Sequence, residues 1–273
     1  MLLRHQPSLP LSAFVDSIWY SERAALPHVR ERSLPTGCAD IVIPLRQDFI
    51  VRFESADEPQ ARHFVGAVVQ GPHDRFSVRG MGGPSSVMGV HFKAGGSAAF
   101  FGGAFADLRN RTMLLEDIWG ATAVELRQQL QEAKSAREKI RMLERHMLGR
   151  LGDVPARDSM VQFALDAFGA RPSAASVAEV QLACGCTPAQ FTRRFEAEVG
   201  LTPKRYARVL RFNALLPAIV RHGPRNWAAL ASASGYFDQA HLINEFKRIS
   251  GVTPTAYAPV STDQLSHVAL IDY

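Results

Sequence analysis

The sequence is poor in cysteine and has no long hydrophobic run. Of its three cysteines, Cys184 and Cys186 stand too close together for an easy disulfide, which favours a reducing compartment, the cytoplasm. The apolar stretches are short and broken by Arg, Asp or Gly, so we expect no membrane-spanning helix. The first seven residues contain no apolar run typical of a signal peptide, and no low-complexity segment predicts disorder. These absences predict a globular cytoplasmic protein without membrane contact.

Sequence motifs of several enzyme classes are also missing. No Gly-x-Ser-x-Gly, zinc-protease or phosphate-loop spacing occurs. The histidines of the first hundred residues form no His-x-His pair that could hold a metal on one strand face. We interpret Cys184 and Cys186 as small buried apolar residues rather than as a redox or metal pair. The sequence therefore predicts no enzyme activity, no cofactor and no metal site.

The first part of the chain is predicted to be rich in β-structure. A length of 273 residues suits two domains of ordinary size. Short runs of β-branched and aromatic residues occur at 38–45, 49–53, 64–71 and 85–92, with Gly, Pro and Asp between them. Such closely spaced short strands predict a small sandwich or barrel over residues 1 to about 110.

From about Thr122 the hydrophobic period becomes helical. Thr122-x-x-Glu125 and Ser135-x-x-Glu138 both have capping-box spacing, so two helices are predicted up to Leu151. This helical hairpin could form a dimer surface or cover one face of the barrel, and the two roles are compatible. A Gly/Pro/Ser-rich connector at 151–159 predicts a domain boundary near Asp153.

Positive charge is concentrated in the last third of the chain. Residues 171–260 contain eleven Lys and Arg against five Asp and Glu, a net charge of +6, which leaves −1 for the rest of a chain whose net charge is +5. A polyanion would therefore meet this part of the molecule.

The same part contains an internal repeat. The stretch 186–206 aligns with 237–257 at an offset of 51, matching Phe195 with Phe246, Gly200 with Gly251, and a Thr-Pro pair in each copy. Upstream of the turns the offset is 50, so the second turn has one extra residue. A match over some 30 positions indicates duplication.

Each copy has the pattern of a helix-turn-helix unit. In the first, Ser176 and Thr187 are predicted helix caps, and Gly185 provides the turn, where a positive φ costs least. In the second, Gly235 turns the chain and Asp238 caps the following helix. The second helix of each copy should bury its phenylalanines and leucine and turn its polar side outward.

The outward residues are candidates for contact with DNA. Arg, Asn and Gln pair with base edges in a major groove, and Ala and Ile can contact the thymine methyl group. The predicted base readers are Ala189, Gln190, Thr192, Arg193, Gln239, Ala240, Ile243 and Asn244. The predicted phosphate contacts are Arg194, Lys204, Arg205, Arg208, Lys247 and Arg248.

A helix starting at Pro203 is predicted to join the two units. Up to Leu216 it would span roughly 20 Å, a strut able to hold the second helices about one turn of DNA apart. Pro217 removes a helical hydrogen bond, so we expect a kink or break there.

These residues resemble the AraC/XylS family of transcription regulators, most specifically at "GYFDQAHLINEFKRISGVTPTAY". The likeness covers about residues 157–259, and "LPTGCADIVIPL", "GVHFKAGG" and "LLEDIWG" resemble recurring stretches of the N-terminal domain in one subset of the family. It implies two helix-turn-helix units joined by a long helix. Two departures stand out: Asn244 where the family usually has Arg, and Gln181 where a small Ala is usual. We therefore expect the first unit, with Arg193 and Arg194, to contribute more affinity.

The combined prediction is an α+β chain with three parts. A β-barrel or sandwich with a helical hairpin over 1–152 would sense a ligand or form dimers, a double helix-turn-helix domain over 157–259 would bind DNA, and 260–273 would be a tail whose apolar residues 268–271 fold back onto the protein. Double-stranded DNA is the expected partner, and a small-molecule effector, RNA polymerase and a second copy of the chain are candidates. Two alternatives stay open: a ligand-binding or catalytic barrel with a helical protein-interaction module, and a nonspecific architectural DNA binder.

Overall fold

The computed structural model describes residues 1–151, 157–222 and 227–270. Its strands, in chain order, are β1 (Leu2–His5), β2 (Val15–Arg23), β3 (Arg30–Ser33), β4 (Asp40–Pro44), β5 (Phe49–Phe53), β6 (Arg62–Val65), β7 (Val68–Gln70), β8 (Ser77–Gly80), β9 (Ser85–Phe92), β10 (Thr112–Leu114) and β11 (His267–Leu270). Its α-helices are α1 (Ala98–Phe101), α2 (Glu116–Trp119), α3 (Ala121–Glu132), α4 (Ala136–Leu151), α5 (Ser159–Ala170), α6 (Val177–Ala183), α7 (Pro188–Val199), α8 (Pro203–His222), α9 (Trp227–Ala233) and α10 (Gln239–Ser250).

The strands form two antiparallel sheets. The first has six strands in the order β1-β2-β9-β4-β7-β10, and the second has five in the order β11-β3-β8-β5-β6. Each of the four predicted apolar runs contains strand residues. The runs at 49–53 and 85–92 coincide with β5 and β9, the run at 38–45 contains β4, and the run at 64–71 includes the end of β6 and all of β7. The predicted α+β class, with a β-rich first part and a helical last part, is confirmed.

The helical hairpin covers the first sheet. Leu126 and Leu130 of α3 and Leu143 and Met147 of α4 are buried in one core with residues of β2, β4 and β9. Arg127 anchors α3 by donating to the carbonyl of Pro44 at 2.9 Å. The predicted covering role is therefore confirmed, whereas the dimer role stays a prediction.

The predicted capping of this hairpin is wrong for α3. The helix begins at Ala121 after Gly120, whose φ of 62° needs no side chain, and the Thr122 hydroxyl donates to the carbonyl of Trp119 at 2.7 Å. The α4 capping box forms only in part. The amide of Glu138 donates to the Ser135 hydroxyl at 3.2 Å, but the Glu138 carboxylate accepts from the backbone amide of Lys134 and not from that of Ser135. Capping-box spacing alone does not select the cap residue when a glycine precedes it.

The helical part of the chain contains two small cores. One joins α5, α6, α7 and the start of α8, and the other joins the rest of α8 with α9 and α10. Phe212 of α8 packs against Phe246 of α10, with ring centroids 5.1 Å apart. The helix α5 was not among the predicted elements.

The linking helix is longer than predicted. It runs unbroken through Pro217 to His222, so the predicted end at Leu216 is wrong, and no break occurs at the proline. A helix tolerates the lost hydrogen bond when packing holds both sides of the proline, and Leu216 and Ile219 are both buried here. Twenty residues span about 30 Å.

The C-terminal tail returns to the N-terminal half. Strand β11 pairs antiparallel with β3, with Val268 opposite Arg32. Val268 is buried in the core of the second helical group, as is Leu34 from the β-rich part. The predicted return of the tail is confirmed for the described residues up to Leu270.

The boundary near Asp153 lies outside the described residues, and the division at 152, 157 and 259 stays a proposal.

Candidate nucleic-acid interface and cavity

The first helix-turn-helix unit, α6 and α7, is built as its sequence predicts. Ser176 caps α6, accepting from the amide of Glu179 at 3.5 Å. Gly185 turns the chain with a φ of 64°. Thr187 and Gln190 then form a complete capping box at the start of α7, with both hydrogen bonds between 3.1 and 3.3 Å. These caps set the direction in which α7 leaves the turn.

The second unit, α9 and α10, repeats this plan with a different cap. Gly235 has a φ of 73°, and a Cβ there would overlap the carbonyl oxygen of Ser173, so both conformation and space require glycine. Asp238 caps α10 by accepting from the amide of His241 at 2.7 Å. Acidic caps also suit the positive end of a helix dipole.

The inward residues are buried as predicted. Phe191, Phe195, Leu242 and Phe246 are each at most 1% exposed. Because side chains three and four positions apart share one helix face, burial of these four leaves the opposite faces of α7 and α10 outward.

On α7 the predicted base readers lie together on the open side. Ala189, Gln190 and Arg193 are exposed, and Thr192 is half-buried. The amide oxygen of Gln190 is already occupied by the Thr187 cap, which leaves only its NH2 group for a base. The guanidinium of Arg193 has no hydrogen bond or ion pair to any described residue.

On α10 the corresponding surface is less charged. Gln239, Ala240 and Asn244 are exposed, whereas Ile243 is half-buried and packs against the core of its own unit. Ile243 can therefore present only part of its side chain to a ligand.

Three of the six predicted phosphate contacts form ion pairs with acidic residues of the chain itself. Arg194 makes two hydrogen bonds of 2.7 Å to Asp158, Arg205 pairs with Asp74 at 3.0 Å, and Arg208 pairs with Glu245. By contrast Lys204, Lys247 and Arg248 are exposed, and no described residue pairs with them. The latter three are the free cations of the predicted set.

The Asp158–Arg194 pair joins α5 to α7 of the first unit. Asp158 is also the cap of α5 and accepts from the amides of Met160 and Val161. Burial would raise the pKa of this carboxyl, but the hydrogen bonds from Arg194 and from the two amides outweigh it and lower the pKa. Arg194 thus stabilises an α5–α7 contact in this structure.

Two glutamates of α7 form ion pairs with arginines that lie before the helix-turn-helix units in the chain. Glu196 pairs with Arg109, and Glu198 accepts from Arg157, which also donates to the carbonyls of Ala13 and Ala94. Arg109 lines a groove along the outward side of α7, beside Arg193. Sequence reasoning missed Arg109, and no motif marks it.

Between the two sheets lies a cavity of about 810 Å³ whose lining mixes aromatic and charged side chains. Glu31 binds Arg79, with His28 at 3.1 Å and His267 of β11 at 3.4 Å. Burial, and then the charge of Arg79, lower the pKa of His267 to about 3, so its ring is neutral and accepts a hydrogen bond from Arg79.

A second ion pair lies elsewhere in the cavity lining. His91 donates to Asp40 at 2.6 Å, and the carboxylate raises the pKa of the histidine although burial opposes it. Sequence reasoning missed these lining residues. A charged residue inside an apolar strand run, such as Arg52 in "FIVRF", was the available signal.

One segment forms a wall shared by the cavity and the helical part. Residues 33–36 and Cys38 line the cavity. On the other side Leu34 belongs to the core of the second unit, the carbonyl of Pro35 accepts from Asn213 of α8 at 3.0 Å, and Gly37 packs against the ring of Tyr206.

Two observations concern metals and membranes. Among the described residues, no group of three or more His, Cys, Asp or Glu side chains is arranged to hold a metal ion. In the same part of the chain no helix is both long and apolar enough to span a bilayer.

Two family models match the chain. Residues 170–259 match a helix-turn-helix domain, and residues 3–114 match a domain of unknown function, DUF6597. No curated protein matches. The C-terminal region is therefore an AraC-type helix-turn-helix domain, and the predicted recognition is confirmed. A helix-turn-helix domain of this type supports DNA binding and transcription regulation by this part of the chain.

Solved structures of similar architecture are distant in sequence. ToxT from Vibrio cholerae is 11% identical, with 88% of this chain and 96% of that chain covered and a TM-score of 0.45. A form of ToxT with a bound unsaturated fatty acid is 10% identical, with 88% and 94% covered and a TM-score of 0.47. The xylose-binding transcription activator XylR is 16% identical, with 50% and 36% covered and a TM-score of 0.30. At these values the likenesses support no argument about ligands.

Proposed function

We propose that the protein binds a specific, asymmetric DNA site by placing α7 and α10 in two successive major grooves. The observation that carries this is the pairing of two exposed polar helix faces, with Arg193 on one and Gln239 and Asn244 on the other. The linking helix, about 30 Å long, is close to the ~34 Å between major grooves one turn apart.

Charge supports the division between base and phosphate contacts. Lys204, Lys247 and Arg248 are exposed and free of partners in the described part of the chain, which suits contact with phosphates. Arg194, Arg205 and Arg208 would have to leave Asp158, Asp74 and Glu245 to reach DNA. Arg194 and Arg205 are exposed, and ion pairs at exposed sites are weak, so a polyanion can compete for these two. Arg208 is partly buried with Glu245 and is harder to release.

The two units should contribute unequally. Arg193 can bind both acceptors of a guanine, whereas Asn244, where the family usually has Arg, favours adenine and gives no charge. We therefore expect a better-defined half-site under α7 than under α10.

We further propose that a small molecule in the cavity modulates DNA binding. The shared wall at 33–38 supports this, because a ligand that displaces it would move Pro35 and Gly37 against α8. Strand β11 gives a second connection, since His267 lies in the cavity lining and the tail leads from α10.

Two protein partners remain candidates in the cytoplasm. One is RNA polymerase, and the other is a second copy of the chain, which would bind at the α3–α4 hairpin.

Selection of bound sequences from random double-stranded DNA tests the proposal. The full chain should enrich one non-palindromic site with two unequal parts about one turn apart, and its affinity should fall steeply with salt. Enrichment of no sequence would favour a nonspecific architectural role. No binding at all would favour the helical part as a protein-interaction module.

A further inference from the structure

Two arginines face each other in the cavity lining. Arg52 of β5 and Arg79 of β8 are register partners in adjacent antiparallel strands, and both line the cavity. Like charges directly opposite each other in a sheet are destabilising. Something must therefore offset the repulsion between these two guanidinium groups.

The acidic residues nearby offset only part of this charge. Glu31 binds Arg79 and His28, while Asp40 is held by His91. Arg52 donates only to neutral oxygens, the amide of Gln70 at 3.2 Å and its neighbouring backbone carbonyl of Val51. Arg52 therefore has no carboxylate partner among the described residues.

Both arginines also keep an unused donor. The Nε atoms of Arg52 and Arg79 are buried and have no hydrogen-bond partner in the described structure. A buried donor without a partner is costly. Burial and then the neighbouring Arg79 lower the pKa of Arg52 to about 10, and the charge of Asp40, which acts in the opposite direction, does not offset them.

We propose that the cavity binds a small organic carboxylate, with its head group between Arg52 and Arg79 and its apolar body against the aromatic lining. A carboxylate offers two oxygens in the plane that guanidinium donors match, and it neutralises the facing charges. Trp19, Phe49 and Phe53 line the same cavity and suit an apolar or aromatic body. The ligand class rests on the cavity alone, while its role as an effector rests on the proposed function.

The charge of the lining favours a monoanion. Four arginines, Arg4, Arg23, Arg52 and Arg79, line the cavity together with three acidic residues, Asp16, Glu31 and Asp40. The lining therefore has one positive charge in excess, which a carboxylate balances and a dianionic phosphate ester exceeds. A neutral sugar or amide would leave Arg52 without an anionic partner.

Calorimetric titration of the full chain tests this with matched pairs of probes. Benzoate and octanoate are compared with benzamide, octanamide and phenyl phosphate, and Trp19 in the lining allows fluorescence to report occupancy. We expect saturable binding of at least one carboxylate and about 10- to 100-fold weaker binding of its amide, since a lost hydrogen bond to a charged group has that effect.

Arg52→Gln is compared with Arg62→Gln, which changes an exposed arginine on the adjacent strand β6. Arg52→Gln should weaken carboxylate binding about 10- to 100-fold and leave the Tm equal or higher, because it removes the repulsion with Arg79. Arg62→Gln should change neither. A lower Tm with unchanged binding would show a purely structural role for Arg52 and overturn the proposal.

Binding of no carboxylate in the millimolar range, or equal binding of acids and amides, would also overturn it. Stronger binding of phenyl phosphate than of benzoate would replace the carboxylate by a phosphate ester. These results concern the cavity only. Gel shifts on the selected DNA site, with and without the bound probe, separately show whether the regulator function stands.

Discussion

In the first helix-turn-helix unit one residue, Cys186, separates the turn glycine from the cap Thr187, whereas Tyr236 and Phe237 separate them in the second. The extra length buries Tyr236 and leaves Phe237 92% exposed beside the start of α10. The units therefore share a backbone plan and a buried face but present different surfaces. Packing constrains the inner face of each helix, while the outer face is free to differ.

The largest expected effect comes from the buried faces. Phe195→Ala and Phe246→Ala should each lower the free energy of unfolding by about 3–5 kcal/mol, because both rings are fully buried. Urea unfolding measures this, with Leu182→Ala on exposed α6 as the control. A much smaller loss at Phe246 would show that the second unit is loosely packed.

The two outer faces should differ in DNA binding. Arg193→Ala should weaken binding to the selected site by roughly 1–3 kcal/mol and relax its sequence preference, while Asn244→Ala should have a smaller effect. Gel shifts at fixed salt measure both, with exposed Arg141→Ala of α4 as the control. Equal losses on specific and random DNA would contradict base reading by Arg193.

Removing the helix caps should have a smaller effect on stability than removing the buried rings. Thr187→Ala and Asp238→Ala should each cost about 1 kcal/mol of stability, since each removes the hydrogen bond that begins a recognition helix. Thermal unfolding measures this, and exposed Thr262→Ala should have no effect. If only one substitution destabilises, the other helix begins independently of its cap.

The smallest expected effect is on the pH dependence of stability, through the pair between Asp158, the cap of α5, and Arg194 of α7. Because the folded-state pKa of Asp158 is lowered from an ordinary value of 3.8, its contribution to stability is complete above pH ~4 and is lost as the pH falls through the lowered value. Asp158→Asn keeps a capping side chain but should flatten the acid limb of stability between pH 5 and 2. Urea midpoints across that range measure this. An unchanged acid limb would show that the pair with Arg194 contributes nothing.

Most of the helical part could be predicted from local sequence. The caps Ser176, Thr187 and Asp238 and the turns at Gly185 and Gly235 depend on hydrogen bonds and backbone angles within a few residues. The end of α8 could not be predicted in this way. Whether a helix continues through Pro217 depends on packing from distant residues.

The phosphate candidates show the same limit. A local pattern identifies Arg194, Arg205 and Arg208 as outward cations, but their partners Asp158, Asp74 and Glu245 lie 36, 131 and 37 residues away. Sequence periodicity cannot tell a free cation from one that is paired across the fold.

Two unequal helix-turn-helix units after a β-rich half can be predicted from the sequence, because duplicated caps, glycines and buried phenylalanines act through contacts close in the chain. The pairing of Arg52 with Arg79, the addition of the tail to the second sheet and the position of residues 33–38 between the cavity and α8 follow from tertiary contacts. Those juxtapositions arise from strand register and from packing between segments up to 240 residues apart, as in the pair Leu270 and Arg30, and no local pattern of residues encodes them.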